Sequence, residues 1–145
     1  PIGAERSAGI TVDVSGFTLA SGGMFATLRD TARIGQLIIN RGRVGSRQVI
    51  PEFWIDDIFN QKGDATLPRL SPESIDPYYR SFIWGVGDGQ GTVLAAGVHG
   101  QFIYISPSTG IVIAMYSSWP NAEGGSPGIG ATEALAILES IKNSI

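Results

Sequence analysis

Four short runs rich in β-branched and aromatic residues, at 82–87, 92–95, 100–105 and 111–116, restrict the fold more than any other feature of the chain. Such residues suit a pleated, half-buried surface. The separators include Asp88-Gly89-Gln90-Gly91 and Ser106-Pro107-Ser108-Thr109-Gly110, both built from turn residues. Connections this short cannot hold the crossover that parallel strands need, so the runs should pair antiparallel with their neighbours.

Upstream, Thr27-Leu28-Arg29-Asp30 has the pattern of a capping box, in which the threonine oxygen accepts an early helix N–H and the acid three residues on reaches back. Leu28, Ala32, Gly35, Leu37, Ile38 and Ile39 follow at mostly helical spacing, and Arg41-Gly42 supplies a stop. A shorter helix is predicted over 51–60, with Pro51 in its first turn and Phe53, Trp54, Ile58 and Phe59 on its buried face. Residues 61–77 carry charges and prolines without periodicity and read as a loop, while 1–20 read as irregular or briefly extended. After a Gly- and Pro-rich loop at 120–130, Ala134, Leu135, Leu138 and Ile141 recur at helical spacing, so a closing helix should lie across one sheet face. The expected fold class is α+β in a single unit, with a mainly helical part at 1–78 and antiparallel strands plus the closing helix at 79–145.

At 145 residues the chain is long enough for one domain with a core, and short for a complete α/β enzyme. Its net charge is −3, and its eight arginines and two lysines, Lys62 and Lys142, form no cationic stripe. That argues against nucleic acid and anionic membrane as partners. With no cysteine and one histidine, disulfides and thiolate zinc sites are excluded, and a structural metal site is not expected. No apolar run has the length needed to span a bilayer, and nothing at the start reads as a signal sequence, so the compartment stays open between cytoplasmic and exported. Pro1-Ile2 in place of an initiator methionine is read as the mark of a processed or excised piece. A hydrophobic content of 43% leaves room for an apolar surface that meets a partner, self-association included.

Isolated motifs say little. Gly124-Gly125-Ser126-Pro127-Gly128 matches G-x-S-x-G, but a nucleophile elbow needs a strand-to-helix turn and a later histidine, and none follows. Gly85-Val86-Gly87-Asp88-Gly89 lacks the third glycine position of a dinucleotide fingerprint and lies between strands. Glu52, Asp56 and Asp57 read as solvated charges on a helix surface. His99, bracketed by Gly97 and Gly100, reads as a turn histidine, and a single His offers no spacing by which to test a triad.

The order of elements is more telling. The stretch from Ser21-Gly22-Gly23 through Thr27, Asp30, Ala32, Arg33 and Gly35 to Leu37 closely resembles the G-G-x-x-x-T-x-x-D-x-A-R-x-G-x-L segment of the serine β-lactamase-like hydrolases. That family joins class C β-lactamases, D-Ala-D-Ala carboxypeptidases, related esterases and nylon-oligomer hydrolases. Residues 41–51 resemble its post-helix turn, 82–87 its Y-G-x-G-W-type strand, and the segment HGQFIYISPSTGIVIAMYSS its hairpin before the C-terminal helix. The resemblance runs through nearly the whole chain.

The resemblance implies a partial β-lactamase/transpeptidase-like fold that works by acyl transfer on a small-molecule amide or ester, without cofactor or metal. Counting back from Pro107, the family's K-T-G falls on Ala95-Ala96-Gly97, which departs from that motif at its first two positions. The departure argues against an ordinary β-lactam site and removes the cation that would bind a substrate carboxylate. The next residue, Val98, would give a backbone N–H to the oxyanion hole, where a rigid donor about 3 Å from the developing charge is needed. Ala95, Ala96, Gly97 and His99 would border the substrate, with His99 either lining the site or facing solvent. Neither lysine follows a serine at S-x-x-K spacing, and no Y-x-N or S-x-N is present. The nucleophile, its lysine and the tyrosine are therefore expected on a missing N-terminal portion of the same protein, and this chain alone should be inactive. The competing reading is a stand-alone, non-catalytic α+β binding or scaffold domain.

Overall fold

A five-stranded antiparallel sheet, each strand hydrogen-bonded to the next in chain order, organises the molecule. The structure is a computed structural model that describes residues 2–19, 22–60, 62, 67, 69–124 and 130–145. The sheet strands are β5 (Tyr78–Arg80), β6 (Ile83–Gly85), β7 (Val93–Gly97), β8 (Gln101–Ser106) and β9 (Ile111–Met115). Four of them overlap the predicted runs, and β5, just after the expected loop at 61–77, is a further strand. Ahead of the sheet lie β1 (Gly9–Ile10) paired with β2 (Met24–Phe25), α1 (Leu28–Ile39), β3 (Arg43–Val44) paired with β4 (Arg47–Gln48), and α2 (Glu52–Ile58). Helix α3 (Ala131–Ser144) follows it. The fold is thus α+β with an antiparallel sheet and a closing helix, and among the described residues 1–78 holds two small antiparallel strand pairs as well as two helices.

Strand alternation divides the core in two. The register Leu94↔Tyr104, Ala96↔Phe102, Tyr104↔Ile113 and Phe102↔Met115 sets these side chains on one face, where they pack against Ala134, Leu135 and Leu138 of α3. Val93, Ile103 and Ile105 face the other way and meet Ile38 of α1 and Ile55 and Ile58 of α2. Ile55, Ile105 and Leu138 are fully buried, and each contributes about 1.5–3 kcal/mol relative to exposure.

Helix α1 begins where the sequence says. The Thr27 side chain accepts from the Asp30 amide at 3.1 Å. The acid, however, does not return to the cap backbone: Asp30 accepts from the Thr27 hydroxyl at 2.8 Å and from the amides of Glu5 and Arg6 at 2.8 and 3.2 Å. Its carboxylate therefore ties the N-terminal segment to the helix, and those hydrogen bonds, the Glu5 amide foremost, hold its pKa below the ordinary value. Gly35 sits in the middle of α1 because the helix backbone lies directly on β8 and β9. A Cβ there would come within 2.6 Å of Val112 Cγ1 and 2.9 Å of Ile103 Cγ2.

Two helix faces differ from expectation. Helix α2 has Pro51 as its N-cap and turns Ile55 and Ile58 inward, leaving Phe53 75% exposed and Trp54 also exposed. The apolar pair one residue ahead of Ile55 had masked the true phase. On α3 the inward set is Ala134, Leu135 and Leu138, together with Glu139 and Lys142, while Ile141 is exposed.

Candidate active site

The sheet opens along one side of β7. Strand β6 pairs with it only at Trp84↔Leu94 and Gly85↔Val93, so Ala95, Ala96 and Gly97 have β8 on one side and no ladder partner on the other among the described residues. The cause is the tight turn between β5 and β6. Ser81 and Phe82 both adopt positive φ, 48° and 65°, and bend the chain away before it can continue along β7. Asp57 of α2 holds this turn, accepting from Arg80 Nε at 2.6 Å and Ser81 Oγ at 2.5 Å. The Ser81 hydroxyl and then Arg80 keep the Asp57 carboxyl below its ordinary pKa. The acid read as a solvated helix charge is thus a tie between α2 and the sheet edge, a role no local periodicity encodes. Glu52 and Asp56 lie beside Arg41.

The open end of β7 borders a cleft of about 500 Å³ between the sheet and the start of α3. Ala96, Gly97 and Val98 form one side, and Trp84, Leu94, Phe102, Trp119 and Leu135 make apolar walls. Arg69 and Glu123 bring one charge of each sign to the lining. Arg69 is itself oriented by the carbonyls of Ser74 and Pro72, at 2.7 and 2.5 Å. Val98 is 63% exposed and lies just past the last ladder pair, Gly97↔Gln101. Among the described residues its amide donates to no loop carbonyl.

His99 and Gly100, at φ 59° and 83°, form the turn that returns the chain into β8. The imidazole does not line the cleft. It is exposed, and its Nδ1 lies 2.8 Å from the Trp119 carbonyl, which can only accept, so Nδ1 carries the proton. The His99 amide donates to Ala122 O at 2.7 Å and its carbonyl accepts from Trp119 N at 3.2 Å. Gly100 is required twice over, by its positive φ and because a Cβ would fall 2.5 Å from the Trp119 ring. The missing side chain at Gly100 makes room for an indole.

Of the five residues named from sequence, Ala96, Gly97 and Val98 share the cleft, Ala95 sits opposite Ile103 on the α1 face, and His99 anchors the neighbouring loop. Sequence reading missed Trp84, Trp119 and Glu123, which only the folded sheet brings together. Gly125 to Gly128 of the G-x-S-x-G match, and Ser21 of the helix segment, lie outside the described residues. Among the described residues no group of three or more His, Cys, Asp or Glu side chains could hold a metal ion.

No protein-family model matches the sequence. The chain is 34% identical over 125 residues to a 6-aminohexanoate-dimer hydrolase of Paenarthrobacter ureafaciens, an alignment covering 83% of this chain and 31% of that protein. A solved structure from Bacillus anthracis, provisionally described as a 6-aminohexanoate-dimer hydrolase, superposes with a TM-score of 0.72 at 29% identity, covering 99% of this chain and 34% of the other. A protein of Bacteroides dorei DSM 17855, provisionally described as a β-lactamase, shares the fold at a TM-score of 0.60 and 15% identity, over 94% of this chain and 44% of its own. The chain thus spans about a third of the length of the hydrolases it matches. The chain is thus similar in sequence to part of a 6-aminohexanoate-dimer hydrolase and shares its fold with part of a β-lactamase-like protein.

Proposed function

We propose that this chain supplies one wall and one oxyanion donor of a serine hydrolase site acting on amides or esters, and that the attacking serine belongs to polypeptide beyond residues 1–145. The observation that carries the reading is the unpaired end of β7, where Val98 follows the last ladder pair and opens onto an apolar cleft. In acyl transfer the serine oxygen bonds to the carbonyl carbon and the carbonyl oxygen takes up the negative charge. The Val98 N–H donates to that oxygen, and collapse expels the amine or alcohol, which takes up the proton the serine hydroxyl gave up, to leave an ester on the serine that water then cleaves. A backbone donor on a strand end is pre-oriented, so it needs no rearrangement as the charge develops.

One feature supports the choice of substrate. The relative from Paenarthrobacter ureafaciens is named for a dimer of an ω-amino acid, whose units are joined by an amide. No lysine stands at Ala95-Ala96-Gly97, and the cation of the cleft lining is Arg69. The partners implied are this small molecule and the remainder of the protein's own domain.

A fluorophosphonate probe on the native-length protein tests the reading. Mass spectrometry should place the adduct on a serine outside 1–145, and the isolated chain should stay unlabelled. Labelling of a serine within 1–145, or none in an active native-length protein, would end the proposal. Replacing the Val98 amide by an ester linkage should lower kcat by about 10²–10³-fold.

A further inference from the structure

The hydrogen-bond phase of β7 shows what its open edge carries. Val86 N donates to Thr92 O at 2.9 Å, one step beyond the Gly85↔Val93 pair. Bonded pairs alternate along an antiparallel ladder, so Trp84↔Leu94 is the next, and Ala96 and then Val98 direct their N–H and C=O groups towards that same side. If β6 ran on by two residues, Phe82 would stand opposite Ala96 and take up both of its groups, beside the Val98 amide. It does not, because Ser81 and Phe82 turn the chain at positive φ, 48° and 65°. Two-residue hairpin turns of this kind favour Asn and Gly, and an L side chain there crowds its own backbone, so a Ser-Phe pair needs support from outside the turn. Asp57 supplies it. Its carboxylate accepts from Ser81 Oγ at 2.5 Å and from Arg80 Nε at 2.6 Å, with Arg80 Nη2 also 2.6 Å away. Ile55 and Ile58, buried in the core on either side of Asp57 in sequence, fix the helix from which it reaches. Strain held in place by a dedicated partner beside a functional edge is the pattern of a device kept for that edge.

We infer that Asp57 is a positioning residue: by pinning the Ser81-Phe82 turn it stops β6 short of Ala96 and keeps clear the edge along which substrate reaches the Val98 amide. Without the carboxylate the turn relaxes, β6 lengthens by the Phe82↔Ala96 pair, and the chain's own strand competes with substrate for the edge. Asp57 touches no reacting atom and acts only through the turn. The inference rests on the hydrolase reading above and adds the part that holds its edge open.

The test uses the native-length protein, with p-nitrophenyl acetate as substrate and amide hydrogen exchange as a second readout. Asp57→Ala should raise KM about tenfold and leave kcat within about twofold, because only the fraction of molecules with a clear edge binds substrate. Peptides covering 94–98 should exchange more slowly in Asp57→Ala than in wild type, since Ala96 gains a partner; a merely structural role would speed exchange there. The pair Ser81→Asn/Phe82→Gly gives the turn residues that hold positive φ unaided, so in that background Asp57→Ala should change neither readout. Asp56→Ala, on the same helix but bonded to Arg41, should match wild type. Ser81→Ala removes the hydroxyl bond alone and should raise KM about threefold with slower exchange, which carries the test if Asp57→Ala does not fold. An unchanged KM with hydrolysis intact overturns the inference alone. Faster exchange over 94–98, or a KM effect that persists in the Asn-Gly background, overturns it as well. If the native-length wild type neither cleaves the ester nor takes up a fluorophosphonate, the hydrolase reading fails and takes the inference with it.

Discussion

Replacing Gly35 by alanine sets two effects of opposite sign against each other. Within α1 the change should stabilise, since glycine in a helix interior is worse than alanine by about 0.8–1.0 kcal/mol. Against this, the new methyl would stand 2.6 Å from Val112 Cγ1, 2.9 Å from Ile103 Cγ2 and 3.4 Å from Ile105 Cγ1. All three neighbours are β-branched and stiff at χ1, so they cannot swing clear, and the first two distances are well inside the roughly 3.5–4.0 Å optimum for carbon atoms. The helix must lift off the sheet, and overpacking of this kind costs about 1–3 kcal/mol. With two carbons under 3 Å the cost falls in the upper part of that range, about 2–3 kcal/mol, so the net expectation is a loss of about 1–2 kcal/mol, read in urea or thermal unfolding of the 145-residue chain as a Tm lower by roughly 3–6 °C. A double-mutant cycle locates the cause. Val112→Ala removes the nearest methyl, so the pair should be more stable than the two single losses predict, by about 1 kcal/mol. A Gly35→Ala chain with unchanged or higher Tm, or a cycle with no coupling, would refute the account of α1 resting on β8 and β9 through bare backbone.

Two further outcomes concern pH. Asp30 has a lowered pKa in the folded chain, so its contribution is complete above its ordinary value of 3.8 and is lost as pH falls through the lower folded value. In urea titrations Asp30→Asn should be less stable than wild type at neutral pH, with the gap closing in acid; a constant gap would mean that the carboxylate charge is not what holds Glu5 and Arg6. Glu139 shows the reverse sign, since burial on the inward face of α3 raises its pKa above 4.5 and the unfolded chain ionises first. Stability is therefore lost as pH climbs from 4.5, and Glu139→Gln should be more stable than wild type at neutral pH and equal to it below that value.

Local chemistry was legible wherever it decided structure locally. The Thr27 cap and the glycine-marked turns around β7, β8 and β9 act over a few residues, and each is readable in the string. Helix phase was legible only where apolar spacing was clean. On α2 the adjacent Phe53-Trp54 pair outweighed Ile55, and on α3 the buried Glu139 and Lys142 occupy places that a hydrophobicity pattern assigns to solvent. The site was half readable. Ala96, Gly97 and Val98 could be placed through resemblance because they are contiguous, whereas Trp84, Trp119 and Glu123 come from three separate segments. Strand β5 and the Asp57 tie were missed for the same reason, because each depends on a partner more than twenty residues away or on a turn without glycine.

Trp119 and Ala122 are fastened to His99 by two main-chain bonds, with the imidazole as a third strap to Trp119 and Gly100 nested under the indole. The far wall of the cleft and the hairpin that carries Val98 therefore form a single jaw. Widening the cavity for a bulkier guest by pushing on Trp119 drags the amide of Val98 along with it. Cavity size and the aim of the Val98 amide, the oxyanion donor proposed above, are mechanically geared, so under that proposal mutations that enlarge the apolar wall at Trp119 should alter turnover as well as fit.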